Sequence, residues 1–359
     1  MGVIRFLLAL SVIITHSTPL AGISLMNGDM AVTCFFIVSG FLMTFILEEK
    51  YVGKTKQFAI NRILRIYPAY LASLVFAMAF YYFIPNGHHN PYNSLSGLLE
   101  SDGLLLFFMS ITTNLTLLGA DLSRYLNFTP VGEFIFPNFL HRGEGNSAHN
   151  LLFVPQAWTL PIELMFYLLA PWIVRFKTSR IFLLLALLSL LYYLAWTYAG
   201  EVHMPFDPSS FFPLQLPYFV LGVLACRGWK TLKVGIDHKK IWVGYVPKFS
   251  FMFAVFLLFA GYTIHKQTEI SPIYIYLLFA FSLPGVFEFG KLLSYDTPIG
   301  EYSYPMYLFH YPISKTVDQW VSPAYEGWLT LIMTLVVCAV YIQWVDRHIQ
   351  RVRFAIARR

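Results

Sequence analysis

The chain has 359 residues, of which 57% are hydrophobic, 18% aromatic and 12% charged, with a formal net charge of +6 and a mean hydropathy of +0.59. Soluble domains carry about 25% charged residues, so the composition excludes a soluble globular protein and identifies a polytopic helical membrane protein. The positive charge is spread over loops and the tail, which fits contact with anionic lipid and not with nucleic acid.

A span needs about 20 mostly apolar residues. Ten segments qualify: 3–20, 30–47, 67–84, 158–175, 181–199, 211–226, 246–264, 271–289, 299–316 and 328–346. The expected fold is therefore all-α, a bundle of about ten transmembrane helices forming one domain over 1–359. Cys34, Cys226 and Cys338 lie in separate apolar runs and read as small core residues, with neither a disulfide framework nor a paired-cysteine metal site.

The first segment reads RFLLALSVIITH, with Arg5 and His16 eleven positions apart. At ~100° per residue, eleven steps return a helix to within about 20° of its starting face, about 16 Å along the axis. Ionisable groups inside a bilayer are costly and face a cavity or a partner. A cation at one end of the stripe and a proton-transfer group near the other point to a polar ligand held across the membrane. No basic cluster or small-residue cleavage site flanks this segment, so it reads as a retained helix.

The second segment contains Ser39-Gly40 in mid-membrane. The pair permits either close helix approach or room for a ligand chain. NRILRIYPAY follows, with Arg62 and Arg65 three apart and Pro68 expected to break the entry to the third span. The two arginines serve as interface anchors or, together with Arg5 at the same level, as a phosphate clamp.

The long connection 85–157 holds His88, His89, His141 and His149 without metal-ligand spacing, and solvated loop histidines are the default. Within it, 103–118 is an eleventh apolar run. Basic clusters at 50–65, 175–180, 227–240 and 347–359 all face the cytoplasm under the positive-inside rule only if 85–157 starts and ends outside. The run 103–118 is then re-entrant or non-spanning, and both termini are cytoplasmic.

Glu163 sits about five residues inside the fourth span. It is either a first-turn charge favoured by the helix dipole or a group that orients a histidine or receives a proton. The ninth span reads IGEYSYPMYLFHYPI, with Glu301, Ser303 and Tyr304 near its inner end and His310 about three turns further out. Counting from the boundaries places His16, Glu163 and His310 at comparable depth in the outer half.

These stretches together resemble the membrane acyltransferase-3 family, bacterial O-acyltransferases that modify surface polysaccharides. Arg5 and His16 are similar to its first-helix signature, AVTCFFIVSGFL to its second-helix motif and NRILRIYPAY to its R-x-x-R-I-x-P-x-Y segment. WTLPIELMFY resembles W-S-L-x-x-E-x-x-F-Y, and IGEYSYPMYLFH resembles G-x-x-S-Y-x-x-Y-L-x-H. The order matches over essentially the whole chain. Leu8 stands where the family often has a second arginine, Thr33 where it often has an aspartate, and Thr159 where serine is common.

The resemblance implies transfer of an acyl group, most often acetyl, from cytoplasmic acyl-CoA to a sugar hydroxyl outside, with no permanently bound cofactor or metal. His16 is then the general base, with Glu163 or His310 orienting it. Arg5, Arg62 and Arg65, with Ser39 and Tyr304, form the donor site. The expected setting is a bacterial plasma membrane, and no esterase-like domain is expected after the membrane domain. A proton-coupled transporter would also bury His and Glu. Transporters often show paired repeats with broken helices in matching positions, and no such symmetry is visible.

Overall fold

The computed structural model describes the chain except residues 24, 85–89, 101–102, 125, 130–133, 136–145, 202–209, 236–238 and 359. Its helices are α1 (Gly2–His16), α2 (Gly28–Glu49), α3 (Thr55–Phe83), α4 (Pro91–Glu100), α5 (Leu104–Thr116), α6 (Thr159–Ile173) and α7 (Thr178–Glu201). They are followed by α8 (Phe212–Gly235), α9 (Lys239–Thr268), α10 (Pro272–Leu292), α11 (Asp296–Trp320), α12 (Pro323–Tyr341) and α13 (Arg347–Arg358). One small sheet qualifies the all-α expectation. Strands β1 (Asn127–Phe128), β2 (Phe134–Ile135) and β3 (Asn146–Ser147) pair antiparallel in the order β2-β1-β3.

Among the described residues, six helices are long and apolar enough to cross a membrane: Gly28–Glu49, Thr55–Phe83, Thr178–Tyr198, Tyr245–Thr268, Pro272–Leu292 and Pro323–Ile356. Four further expected spans fall on α1, α6, α8 and α11, which are not in this set. α1 and α6 have 15 residues each, about 22 Å, against a hydrocarbon core of about 30 Å. α11 has 25 residues but carries Glu301, His310, Lys315 and Asp318. α5 has 13 residues, about 20 Å, and ends inside the bundle. There the Tyr70 hydroxyl donates to the Asn114 carbonyl at 2.6 Å, and Asn114 Nδ2 donates to the Leu151 carbonyl at 2.9 Å.

Pro68 does not break the chain: Thr55–Phe83 is one continuous helix with Pro68 inside. A proline removes one helical hydrogen bond, and neighbouring helices in a membrane bundle supply substitutes. α3 is also tied to α11 near this point, where the Tyr304 hydroxyl donates to the Ile66 carbonyl at 3.0 Å.

Two helix pairs organise the core. α2 and α8 cross where glycines meet. A Cβ on Gly40 would sit 2.0 Å from the Phe219 carbonyl oxygen, and one on Gly222 2.0 Å from that of Ile37. Gly40 therefore serves helix packing, whereas its neighbour Ser39 turns to a cavity. α1 and α11 run side by side. At one end the Asp296 carboxylate accepts from the Gly2 and Val3 amides at 2.7 and 3.0 Å, satisfying donors that a helix start leaves free. At the other, the Ser314 hydroxyl donates to the His16 carbonyl.

The four basic clusters meet at one end of the bundle. Lys230 pairs with Glu48 and Glu49 at 2.9 and 2.8 Å. Arg227 donates to the Val174 carbonyl at 2.7 Å and to Thr178 at 3.0 Å. Asn61 donates to the Arg353 carbonyl at 3.2 Å. The three cysteines are buried and unpaired. His88, His89 and His141 lie outside the described residues. His149 is held at 3.3 Å from the Ser123 hydroxyl.

Candidate active site

α1 carries the two ends of the site. Near its start, Arg5 enters a cavity of about 360 Å³ lined also by Lys50, Arg62, Arg65, Glu163, Glu301, Arg353, Ser39 and Tyr304. Gly300 makes the room, because a Cβ there would lie 2.7 Å from Arg5 Nη2. The wall on α2 runs from Lys50 to Val32, eighteen residues or about 27 Å of helix. The cavity thus extends from the basic end deep into the bundle.

Five cations face two carboxylates in this space. Among the described residues, none of its four arginines has a carboxylate oxygen within 4 Å. The Nε atoms of Arg5, Arg62 and Arg353 are buried without a hydrogen-bond partner. Arg62 is held by Asn61 Oδ1 at 2.7 Å and by the rings of Phe58 and Tyr167, 5.6 and 5.9 Å from its guanidinium. Burying charge without a counter-charge is expensive. A site that keeps several unpaired guanidiniums together is suited to an anionic ligand with more than one phosphate.

His16 ends α1, and His310 lies on α11. His16 Nδ1 is 3.0 Å from His310 Nε2, and His310 Nδ1 is 3.1 Å from the Met306 carbonyl. A carbonyl only accepts, so His310 Nδ1 carries the proton and its Nε2 is bare in the neutral ring. His16 Nδ1 must then donate to it, which leaves His16 Nε2 as the free basic nitrogen. His310 is fully buried, whereas His16 is partly exposed. Tyr311 packs edge-on against His16, with ring centroids 5.3 Å apart.

Glu163 is not part of this pair. Its Oε1 accepts from the Ser39 hydroxyl at 3.2 Å and from the Tyr167 hydroxyl, and it lines the arginine cavity. Counting from the span boundary misplaces it because α6 begins inside the bundle. The 3-10 turn before it (Pro155–Trp158) is already buried, and Gln156 Nε2 donates to the Leu308 carbonyl at 2.7 Å. Glu163 is therefore carried deeper, to the level of the arginines.

Tyr307 connects the two ends. It lines the cavity, and its ring centroid is 6.4 Å from that of His310. Its hydroxyl donates to the Gln156 carbonyl at 2.5 Å and is 2.9 Å from Thr159 Oγ1. Tyr307 and Tyr167 stand in the motifs quoted above without a role assigned to them, and the sequence does not single out Asn61, Gln350 or Arg353. Tyr167 carries a usable signal, four residues after Glu163 and so on the same helix face. Arg353 carries none, since its arginine-rich segment reads equally as a lipid anchor. Among the described residues, no group of three or more His, Cys, Asp or Glu side chains is placed to hold a metal ion.

Proteins named "Putative O-acetyltransferase" from Staphylococcus aureus strains COL, MW2 and N315 are each 21% identical over 362 aligned positions, covering 90% of this chain and 52% of theirs. The chain thus spans about half the length of the curated relatives it matches. No solved structure gives a significant match. The family model described as "Acyltransferase domain" matches residues 1–344, a stretch that contains both histidines and every cavity arginine but Arg353, and the chain belongs to this acyltransferase-3 family.

Proposed function

We propose that the protein is an integral membrane O-acyltransferase. It takes an acyl group, acetyl in the simplest case, from acyl-CoA bound at the basic end and passes it to a hydroxyl of an extracytoplasmic or lipid-linked glycan. The carrying observation is the division of labour along α1. Arg5 faces a cation-rich cavity, and His16, eleven residues on, faces His310. In this reading the basic end is cytoplasmic by the positive-inside rule, about ten helices cross a bacterial plasma membrane, and α5 re-enters without crossing.

The cavity residues support the donor. Arg5, Arg62 and Arg65 meet its phosphates, while Ser39 and Tyr304 line the wall toward Tyr307. The acyl-pantetheine arm points along the cavity toward the histidines, with Tyr307 at the junction. His16 Nε2 accepts the proton of the acceptor hydroxyl as the new C–O bond forms. The C–S bond breaks, and the proton passes on to the leaving thiolate. His310 holds His16 in the required tautomer through Nδ1 and stabilises the imidazolium, the part a carboxylate plays in hydrolytic triads.

The test is incubation of membranes containing the protein with radiolabelled acetyl-CoA and mass-spectrometric analysis of surface glycans with and without the protein. Label on glycan hydroxyls, lost in His16→Ala, is the expected result. Full labelling by a well-inserted His16→Ala variant would refute the assignment.

A further inference from the structure

The family match ends at residue 344, but the cavity does not. α13 begins at Arg347, and its residues Gln350, Arg353 and Phe354 form part of the cavity wall. The helix is amphipathic, with Arg347 and Arg351 exposed, and packs on α3. One asparagine ties it to the segment that carries Arg62. Asn61 Oδ1 accepts from Arg62 Nη2 at 2.7 Å and from Arg353 Nη2 at 3.4 Å, while Asn61 Nδ2 donates to the Arg353 carbonyl at 3.2 Å. Gln350 Nε2 donates to Asp346 at 2.7 Å and to Glu301 at 3.4 Å.

This places a fourth guanidinium in the cavity wall, on a partly exposed residue flanked by the exposed Arg351, Val352 and Phe354, with its Nε buried and unpartnered like those of Arg5 and Arg62. The position has chemical consequences. An acyl thioester that enters acyl end first leaves its nucleotide end at the mouth. The pyrophosphate that joins the pantetheine arm to the nucleotide then meets Arg5, Arg62 and Arg65, and the outermost anionic group of the nucleotide is the ribose 3′-phosphate.

We propose that α13 is part of the donor site and that Arg353 binds the ribose 3′-phosphate of acyl-CoA. The proposal rests on the acyl-CoA reading above and adds to it a named recognition element outside the matched family segment. Arg353 then distinguishes acyl-CoA from donors that lack this phosphate.

The experiment is equilibrium binding of radiolabelled acetyl-CoA and of 3′-dephospho-acetyl-CoA to the full-length protein in detergent. For wild type, acetyl-CoA should bind more tightly than the dephospho form. Arg353→Gln should weaken acetyl-CoA about tenfold or more, as loss of a charged hydrogen bond does, and leave the dephospho form unchanged, so that the variant no longer tells the two apart. Arg353→Lys should recover part of the difference, since a point charge replaces a fork incompletely. Equal losses for both donors in Arg353→Gln, or no loss for either, would overturn the proposal while leaving acyl-CoA as the donor. Absence of acetyl-CoA binding to wild type would overturn the donor reading and this proposal together.

Discussion

The two ends of the α1–α11 pair are built on opposite principles. At the His16 end, the chain supplies every partner: Met306 orients His310, and His310 orients His16. One nitrogen is left over, and it is the one the proposed transfer uses. At the Arg5 end, residues from α1, α2, α3, α6, α11 and α13 surround a cavity whose guanidiniums lack counter-charges. A reacting group gains from being pre-positioned by its own neighbours. A binding site for a polyanion gains from charges left unsatisfied until the ligand arrives. The structure keeps the two apart along the length of one short helix, and Tyr307 is the side chain common to both.

The sharpest way to break this division is at the histidines. His16→Ala should lower turnover by about 10²–10⁴-fold, the usual worth of a general base, while acetyl-CoA affinity stays at the wild-type value. His310→Ala should lose nearly as much, and the double variant little more than His16→Ala, because groups acting as a unit are non-additive. Additive losses in a kinetic double-mutant cycle would show that His310 only fills space.

Arg5→Ala tests the other end. It should weaken acyl-CoA roughly ten- to a hundredfold, from loss of charged hydrogen bonds worth about 1.5–3 kcal/mol, with turnover at saturating donor changed much less. Loss of turnover at unchanged affinity would move Arg5 into the chemistry.

Glu163→Gln sharpens the boundary between the two ends. The amide oxygen still accepts from Ser39 and Tyr167, and one negative charge leaves the cation-rich cavity. Donor affinity should hold or tighten, and the pH profile of turnover should keep its wild-type shape. A profile displaced along the pH axis would return Glu163 to the histidine pair.

The smallest effect concerns the contact that sets the register of α1 on α11. Burial pushes the Asp296 carboxyl up, but hydrogen bonds from the Met1 amino group and the Gly2 and Val3 amides more than offset this and hold it below the ordinary carboxylate value. A carboxylate with a depressed folded-state pKa stabilises above its unfolded value of about 3.9, and that contribution is lost as pH falls through the folded value. Asp296→Asn should therefore cost on the order of 1–2 kcal/mol near neutrality and show a shallower loss of thermal stability on acidification. An unchanged melting temperature at neutral pH would remove Asp296 from this role.

Much of the site is legible in the amino-acid order. Helix periodicity alone puts Arg5 and His16 on one stripe, and both do face α11. Arg62 and Arg65 are legible as a pair because their spacing is local. Glu163 is not, because depth counted from an apolar boundary fails where Trp158 is itself buried in the bundle. Pro68 misleads for a related reason: the rule that proline breaks a helix holds for isolated helices, and here Thr55–Phe83 runs on through it within a packed bundle. Arg353 is invisible, since nothing local distinguishes an arginine that reaches a cavity from one that meets lipid.

What the sequence by itself determined is therefore the helical membrane class, the apolar runs and the residues that share a face within one helix, because these follow from composition and from a period of about 3.6 residues. The tertiary structure decided which faces meet: the His16–His310 contact across 294 positions, the placement of Glu163 among arginines, and the return of α13 to the cavity wall. These contacts depend on how far each element enters the bundle and on which small residues let helices approach, such as Gly300 beside Arg5 and Gly40 against α8. That information is spread over the whole chain, and no local stretch holds it.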